Sequence, residues 1–265
     1  MSIMFPNISP TAITIMSVDI RWYSLAYICS AVLGFYYLKY MNNKANLIEN
    51  TISKQFFDDS LFYIMLGVLL GGRIGYIVFY GFSYYLYNPL EIFFIWQGGM
   101  SFHGGMIGVA ISMYLLSRKY HKPLLLITDL IALATPIGLL LGRLANFVNA
   151  ELYGHPTEVP WGVYFPEVYL PRHPSQIYEA ICEGLILGII LLILWQQKQY
   201  RKQGLITGVF LLGYSTSRFI IEFFRQGEIY LFNYFSMGQV LCIPMIFLGV
   251  FLIIKALKYN APKTH

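Results

Sequence analysis

Apolar runs of membrane-spanning length recur along the whole of this 265-residue chain. An α-helix needs about twenty residues to cross the hydrocarbon core of a bilayer. No other feature limits the fold so strongly, because in lipid every backbone N–H and C=O must find its partner inside the segment or in a closed barrel. Charged residues make up 12% of the sequence and hydrophobic residues 57%, whereas a soluble domain carries about 25% charged residues. The pattern excludes a disordered chain, a fibrous repeat and an ordinary cytosolic enzyme.

Seven helices are expected, over residues 22–40, 60–80, 99–116, 124–141, 177–195, 204–224 and 236–257. No linker, low-complexity tract or repeat interrupts them, so residues 1–265 read as a single all-α polytopic membrane domain. The first twenty residues contain no Lys or Arg, so the basic start of a cleavable signal peptide is missing and the first helix is expected to stay in the mature protein. Cys29, Cys182 and Cys242 lie in apolar stretches without CxxC spacing. They are expected to be buried packing residues, neither a disulfide framework nor a metal site.

The net charge of +5 invites a nucleic-acid reading, but the placement of the cations argues for a membrane topology. Lys39, Lys44 and Lys54, then Arg118, Lys119 and Lys122, then Lys198, Arg201 and Lys202, then Lys255, Lys258 and Lys263 fall in four alternating segments. The positive-inside rule puts these twelve cations in the cytoplasm, with the C-terminus there and the N-terminus outside. The six remaining cations, Arg21, Arg73, Arg143, Arg172, Arg218 and Arg225, are all arginine. Arg binds phosphate and carboxylate through a planar, two-pronged fork. One reading is an anion site open to the outer face; the other is that long arginines snorkel to the interface and hold helix ends.

Three polar clusters stand out. After the fourth helix runs Gly142-Arg143-Leu144-Ala145-Asn146-Phe147-Val148-Asn149-Ala150-Glu151-Leu152-Tyr153-Gly154. A continuing helix presents Arg143 and Asn146 on one face, a cradle for a phosphorylated, hydroxylated headgroup. The bland reading is a capped helix end whose Arg143 pairs with Glu151. On the sixth helix Tyr214, Arg218, Glu222 and Arg225 form one stripe, where two arginines outweigh one carboxylate; the alternative is a self-neutralising ladder. Ser101-Phe102-His103-Gly104-Gly105-Met106 opens the third helix, with glycines that permit close backbone approach and a histidine that is either functional or a structural hydrogen-bonding residue. His121, His155, His173 and His265 show no metal-ligand spacing, so no metal is expected. Weaker signals are Arg172-His173-Pro174-Ser175-Gln176-Ile177-Tyr178-Glu179, which looks like helix-start chemistry with Glu183 one turn on, and the GxxxG pairs Gly71/Gly75, Gly104/Gly108, Gly138/Gly142, Gly184/Gly188 and Gly204/Gly208.

The segment from Gly142 to Gly154 resembles, position by position, the signature G-R-x-[GA]-N-F-x-N-x-E-x-x-G of prolipoprotein diacylglyceryl transferases. The resemblance extends to Gly71-Gly72-Arg73-Ile74-Gly75-Tyr76, Gly98 to Gly105, Arg172 to Gln176, and Arg218-Phe219-Ile220-Ile221-Glu222-Phe223-Phe224-Arg225. The sequence departs from the family in a shorter stretch between Gly154 and Arg172, and in Arg21-Trp22-Tyr23-Ser24 where His-Trp-Tyr-Gly is common. The resemblance implies seven helices with an outside N-terminus and a location in the bacterial cytoplasmic (inner) membrane, the active site facing outward. It implies transfer of the diacylglyceryl group from phosphatidylglycerol to the lipobox cysteine of a prolipoprotein signal peptide, with release of glycerol 1-phosphate. By the same resemblance Arg143, Arg218 and His103 are catalytic. Arg143, Asn146, Glu151, Gly154, Tyr23, Tyr214, Glu222 and Arg225 bind substrate among membrane lipids, and neither nucleic acid nor cofactor takes part.

That reaction asks for residues of these kinds. A free thiol has a pKa near 8.5, so only a few per cent is thiolate at neutral pH; a neutral imidazole or a positive field raises that fraction. Arginines offset charge that develops on the departing phosphate, and such preorganised donors are worth about 3–4 kcal/mol each. His103 is the candidate base, with a tyrosine or the arginine field as alternatives. Two other classes of protein fit the sequence less fully: an anionic-lipid flippase, which would move lipid without forming a bond, and a membrane scaffold, which would tolerate Lys at Arg143 and Arg218.

Overall fold

The computed structural model describes residues 3–6, 8–16, 18–45, 54–226, 230–231 and 235–259; Lys263 lies outside them. A helix occupies each of the seven expected places: α1 (Trp22–Ala45), α2 (Lys54–Tyr80), α4 (Phe102–Lys119), α5 (Leu124–Val148), α6 (Ser175–Gln196), α7 (Leu205–Ile221) and α8 (Met237–Tyr259), with a short α3 (Phe82–Tyr87) between α2 and α4. Four are long and apolar enough to cross a membrane, over Gln55–Tyr80, Leu124–Val148, Ser175–Gln196 and Met237–Lys258, and α7 is apolar but shorter. Tyrosines and Lys39 dilute α1, while α4 carries His103, Arg118 and Lys119 within its 18 residues.

The described residues are mostly helical, as expected of an all-α membrane protein. Among the described residues six short strands accompany the helices: β1 (Ile3–Met4), β2 (Thr11–Ile15), β3 (Val18–Arg21), β4 (Val163–Tyr164), β5 (Tyr230–Leu231) and β6 (Phe235–Ser236). β1 pairs in parallel with β4, and β2/β3 and β5/β6 form antiparallel ribbons. Four of these strands have only two residues, too few to show the alternation by which a strand is read from sequence.

The chain forms two compact units. One, residues 39–128, is built on α2 packed against α4. Gly67, Gly71 and Gly75 meet Gly104 and Gly108 so closely that a Cβ on Gly108 would stand 1.9 Å from the Gly67 carbonyl oxygen. Removing side chains from both faces is how helices approach backbone to backbone in lipid. Ser112 Oγ donates to the Tyr63 carbonyl at 2.6 Å, and at one end Lys119 and Tyr120 both bond Asp59.

In this unit Arg73 corrects the reading of the outer arginines as one anion site. It is 4% exposed. Its guanidinium donates to the carbonyls of Ile92 (2.9 Å), Gly98 (2.7 Å) and Glu91 (2.6 Å) and stacks over Tyr85. Those carbonyls lie on the stretch 89–99, which winds as two short 3₁₀ helices (Pro89–Phe93 and Ile95–Gln97) and leaves carbonyls with room for further partners. Arg73 supplies them, so the structural reading holds there.

The other unit, residues 1–38 and 129–265, contains α6, α7 and α8 with the greater parts of α1 and α5. Its apolar core includes Leu130, Leu133, Leu187, Leu191, Trp195, Leu205, Ile206 and Leu252. The start of α7 has no cap of its own, because its N-cap is Gly204. Asp129 of α5 caps it from across the unit, accepting from the Gly204 N–H (2.7 Å), the Thr207 N–H (2.8 Å) and the Thr207 hydroxyl (2.6 Å). Of the cysteines expected to be buried, only Cys242 is: Cys29 is exposed and Cys182 half-buried. In lipid a small apolar thiol loses nothing by facing outward.

Candidate active site

The largest fully buried side chains of the molecule include Gln176, Glu179, Glu183 and Asp129, while Leu, Ile and Phe residues line much of the exterior. Polar groups inside and apolar groups outside invert the arrangement of a soluble protein. A charge in such an interior persists only when it is paired, so the pairing locates the site.

The pairing centres on Glu179. α5 runs past its expected end at 141 to Val148, and this carries Arg143 and Asn146 on helical backbone. Arg143 Nε lies 2.9 Å from Glu179 Oε2, and its Nη2 3.9 Å from Glu183 Oε2. From the last turn of α7, Arg218 bonds Glu179 Oε1 through Nη1 and reaches Glu222 Oε2 at 3.0 Å through Nη2. α7 ends at Ile221 rather than Phe224, yet the turn that follows brings Arg225 Nη1 within 3.3 Å of the same Glu179 oxygen. Among the described residues Arg143 makes these ion contacts and no aligned hydrogen bond. Its side chain is 18% exposed, slightly more than those of Arg225 and Arg218.

Two expectations about charge change here. The Arg218–Glu222–Arg225 stripe is not left net positive: Glu179 and Glu183 join it, and three arginines face three glutamates. Glu179 stands 39 residues from Arg218 in the chain, so spacing within one helix carries no trace of the pairing. Nor does Arg143 pair with Glu151, the bland reading of the helix end. Glu151 instead accepts from the side-chain amides of Asn146 (2.7 Å) and Asn149 (3.4 Å).

The stretch that looked like helix-start chemistry does start α6, and it does more. Gln176 Nε2 donates to the Glu151 carbonyl at 2.6 Å and Ser175 Oγ to the Leu152 carbonyl at 2.9 Å. Both side chains are fully buried, and they fix the loop that carries Glu151. Directly beyond Glu179, residues Ala180–Ile186 wind as a π-helix. Such a bulge shifts side-chain phase and is frequent at functional sites; here it lies between Glu179 and the apolar end of α6.

Nine of the ten expected site residues lie in this unit. Tyr23 shares a hydrogen bond with Tyr27 (2.7 Å between hydroxyls) and is near enough to Glu151 and Arg143 to feel their charge. Tyr214 stacks on Phe210 one turn before Arg218. Gly154 is a crossing point of backbones. Its N–H donates to the His173 carbonyl at 2.8 Å, and a Cβ there would stand 2.2 Å from the Phe224 carbonyl oxygen. The tenth, His103, sits half-buried in the first turn of α4, in the other unit.

Next to the cluster, His173 bonds the Tyr178 hydroxyl through Nδ1 (3.1 Å), and Tyr178 also receives the Trp161 N–H (2.7 Å). Burial, and then the charge of nearby His155, hold the His173 imidazole below its ordinary pKa, so the neutral ring is favoured. Among the described residues no group of three His, Cys, Asp or Glu side chains has the arrangement of a metal site.

A helical protein with four helices long and apolar enough to cross a membrane, and an arginine–glutamate cluster sunk in its apolar shell, is a polytopic membrane protein. Residues 10–255 match the family model of prolipoprotein diacylglyceryl transferase, and the chain belongs to that family. A phosphatidylglycerol–prolipoprotein diacylglyceryl transferase of Idiomarina loihiensis is 46% identical, over 96% of this chain and 95% of its own. One from Pseudoalteromonas translucida is 46% identical over 100% and 98%. Another, from Methylocella silvestris, is 42% identical over 98% and 97%.

Proposed function

We propose that this protein is a phosphatidylglycerol–prolipoprotein diacylglyceryl transferase that catalyses the first step of bacterial lipoprotein maturation, with Arg143 and Arg218 at the centre of the reaction. The lipobox cysteine sulfur attacks the glycerol carbon that bears the phosphate. A C–S bond forms, the C–O bond breaks, and its electron pair leaves on the phosphate oxygen as glycerol 1-phosphate. The donor carries its own leaving group, so the step as written uses no electron carrier or nucleotide. The observation that carries the reading is the Nη edge of Arg143, free of aligned hydrogen bonds among the described residues and backed by Arg218 and Arg225.

In this mechanism Arg143 grips the headgroup and Arg218 offsets the charge that grows on the phosphate, while Arg225 and Glu222 hold the forks in place. Tyr23, Tyr214, Asn146, Glu151 and the turn at Gly154 shape the surrounding cradle, and His103 takes the thiol proton. The chain works as one domain in the inner membrane. All seven long helices cross, the N-terminus and the site face outward, and the lysine-rich ends lie in the cytoplasm; the support for this is the alternation of twelve cations over four segments.

The test is transfer of labelled diacylglyceryl to a lipobox peptide, with phosphatidylglycerol as the sole donor, over a pH series at saturating lipid. Thioether formation is expected; movement of lipid without it would mark a flippase. His103→Gln is expected to regain activity as pH rises and more substrate thiol ionises unaided, while Arg218→Ala, defective at the leaving group, stays about 10² to 10³ slower throughout. Parallel pH responses would remove His103 as the base, and two full-speed variants would end the arginine-centred mechanism.

A further inference from the structure

Glu179 is the only acidic side chain among the described residues that touches three arginines. It is 1% exposed. Glu222 reaches only Arg218, four residues before it, and Glu183 only Arg143, at 3.9 Å. The three arginines come from separate places in the chain: the end of α5, the end of α7 and the turn beyond it. Each gives Glu179 one edge of its guanidinium, Arg143 through Nε and the other two through Nη1. Arg143 and Arg225 thereby keep N–H groups for another partner. Without the carboxylate, three guanidiniums would stand against only Glu222 and Glu183, leaving one positive charge in excess in a medium of low dielectric, where repulsion is strong.

We infer that Glu179 is a positioning residue that aims the three guanidiniums and limits their positive field, so that the phosphate product is released. This rests on the reading that the arginines hold the donor headgroup. Donor and product differ in the charge they bring. Phosphatidylglycerol carries a phosphodiester monoanion, whereas glycerol 1-phosphate is a monoester with a charge of about −1.5 to −2 near neutrality. An uncompensated arginine cluster therefore retains the product more strongly than it attracts the donor. The negative charge of Glu179 offsets part of that difference, and its two oxygens fix where the N–H groups point.

Charge and aim are separable by substitution. Glu179→Gln keeps the shape and removes the charge: it should lower the inhibition constant for glycerol 1-phosphate about tenfold, leave KM for phosphatidylglycerol unchanged or lower, and reduce kcat. Glu179→Asp keeps the charge and shortens the reach: it should raise KM and lower kcat without tightening product inhibition. KM and the inhibition constant do not depend on how much of a preparation is folded, so a merely structural role would move neither. A wild-type inhibition constant in Glu179→Gln overturns the inference. Arg143→Lys is the control on the underlying reading. If it leaves both constants unmoved, the headgroup assignment fails; if it shifts them while Glu179→Gln does not, only the role of Glu179 fails. Should Glu179→Gln not accumulate in the membrane, Glu179→Gln with Arg225→Gln restores the balance of charge. That double variant should accumulate, with kcat lowered but an inhibition constant for glycerol 1-phosphate within about threefold of the wild type; failure to accumulate, or an inhibition constant lowered about tenfold despite the restored charge, also overturns the inference.

Discussion

Arg143 and Arg118 carry the same side chain in opposite circumstances. Arg143 is held by one edge against a buried carboxylate and is proposed to grip the donor headgroup with the other, while Arg118 is exposed at the end of α4. A lysine retains the charge and loses the planar geometry. Arg143→Lys is therefore expected to lower transfer by about 10² while the protein still accumulates and folds. Arg118→Lys should change turnover by less than about twofold, as surface substitutions away from such features usually do. Equal tolerance at both positions in the peptide assay would favour a scaffold over an enzyme. Arg73 completes the comparison. It is as deeply buried as the acids of the cluster, yet it spends its N–H groups on backbone carbonyls, so burial of an arginine does not by itself mark a ligand site.

At the scale of elements, neighbouring glycines differ in what their missing side chain permits. Gly104 faces α2, and a Cβ there would stand 2.2 Å from the Gly71 carbonyl oxygen; at Gly105 the nearest atom would be 3.7 Å away. Gly104→Ala should force α2 and α4 apart and lower the thermal midpoint in detergent by several degrees, while Gly105→Ala should leave it within about a degree, or raise it, since Ala is the better helix former. Matching midpoints for the two variants would mean that the α2–α4 packing is not as close as described. The same reasoning explains Gly154. Its neighbours are the backbone of Phe224 and the side chain of His173, so its bareness keeps the chain beside Arg225 in register with the cluster. The family signature ends on this glycine because two stretches of backbone must cross there.

For the whole molecule, the orientation in the bilayer is the property that every other proposal assumes. A cysteine placed at Gln199, between two cationic residues, should react with an impermeant thiol reagent only from the cytoplasmic side, and one at Thr157 only from outside. Cys29, exposed in the native protein, and Cys182, half-buried, are first replaced by serine so that the background is silent. Labelling of Thr157 from the cytoplasm would overturn the seven-span topology and with it the outward-facing site.

Helix positions were legible in the sequence because lipid imposes a local rule: a segment either is or is not apolar over about twenty residues. The places of Arg143, Asn146, Glu151, Arg218, Glu222 and Arg225 were legible as well, since they fall within short motifs read along one helix or one turn. Three things needed the tertiary structure. Arg73 bonds the carbonyls of a loop 18 to 25 residues further on, and Asp129 caps a helix 75 residues away. Glu179, which looked like part of a helix start, became the partner of three arginines. Each is a pairing between segments distant in the chain. A buried charge is stable only against its partner, and which partner it finds is settled by how helices pack, a property that no window of sequence contains.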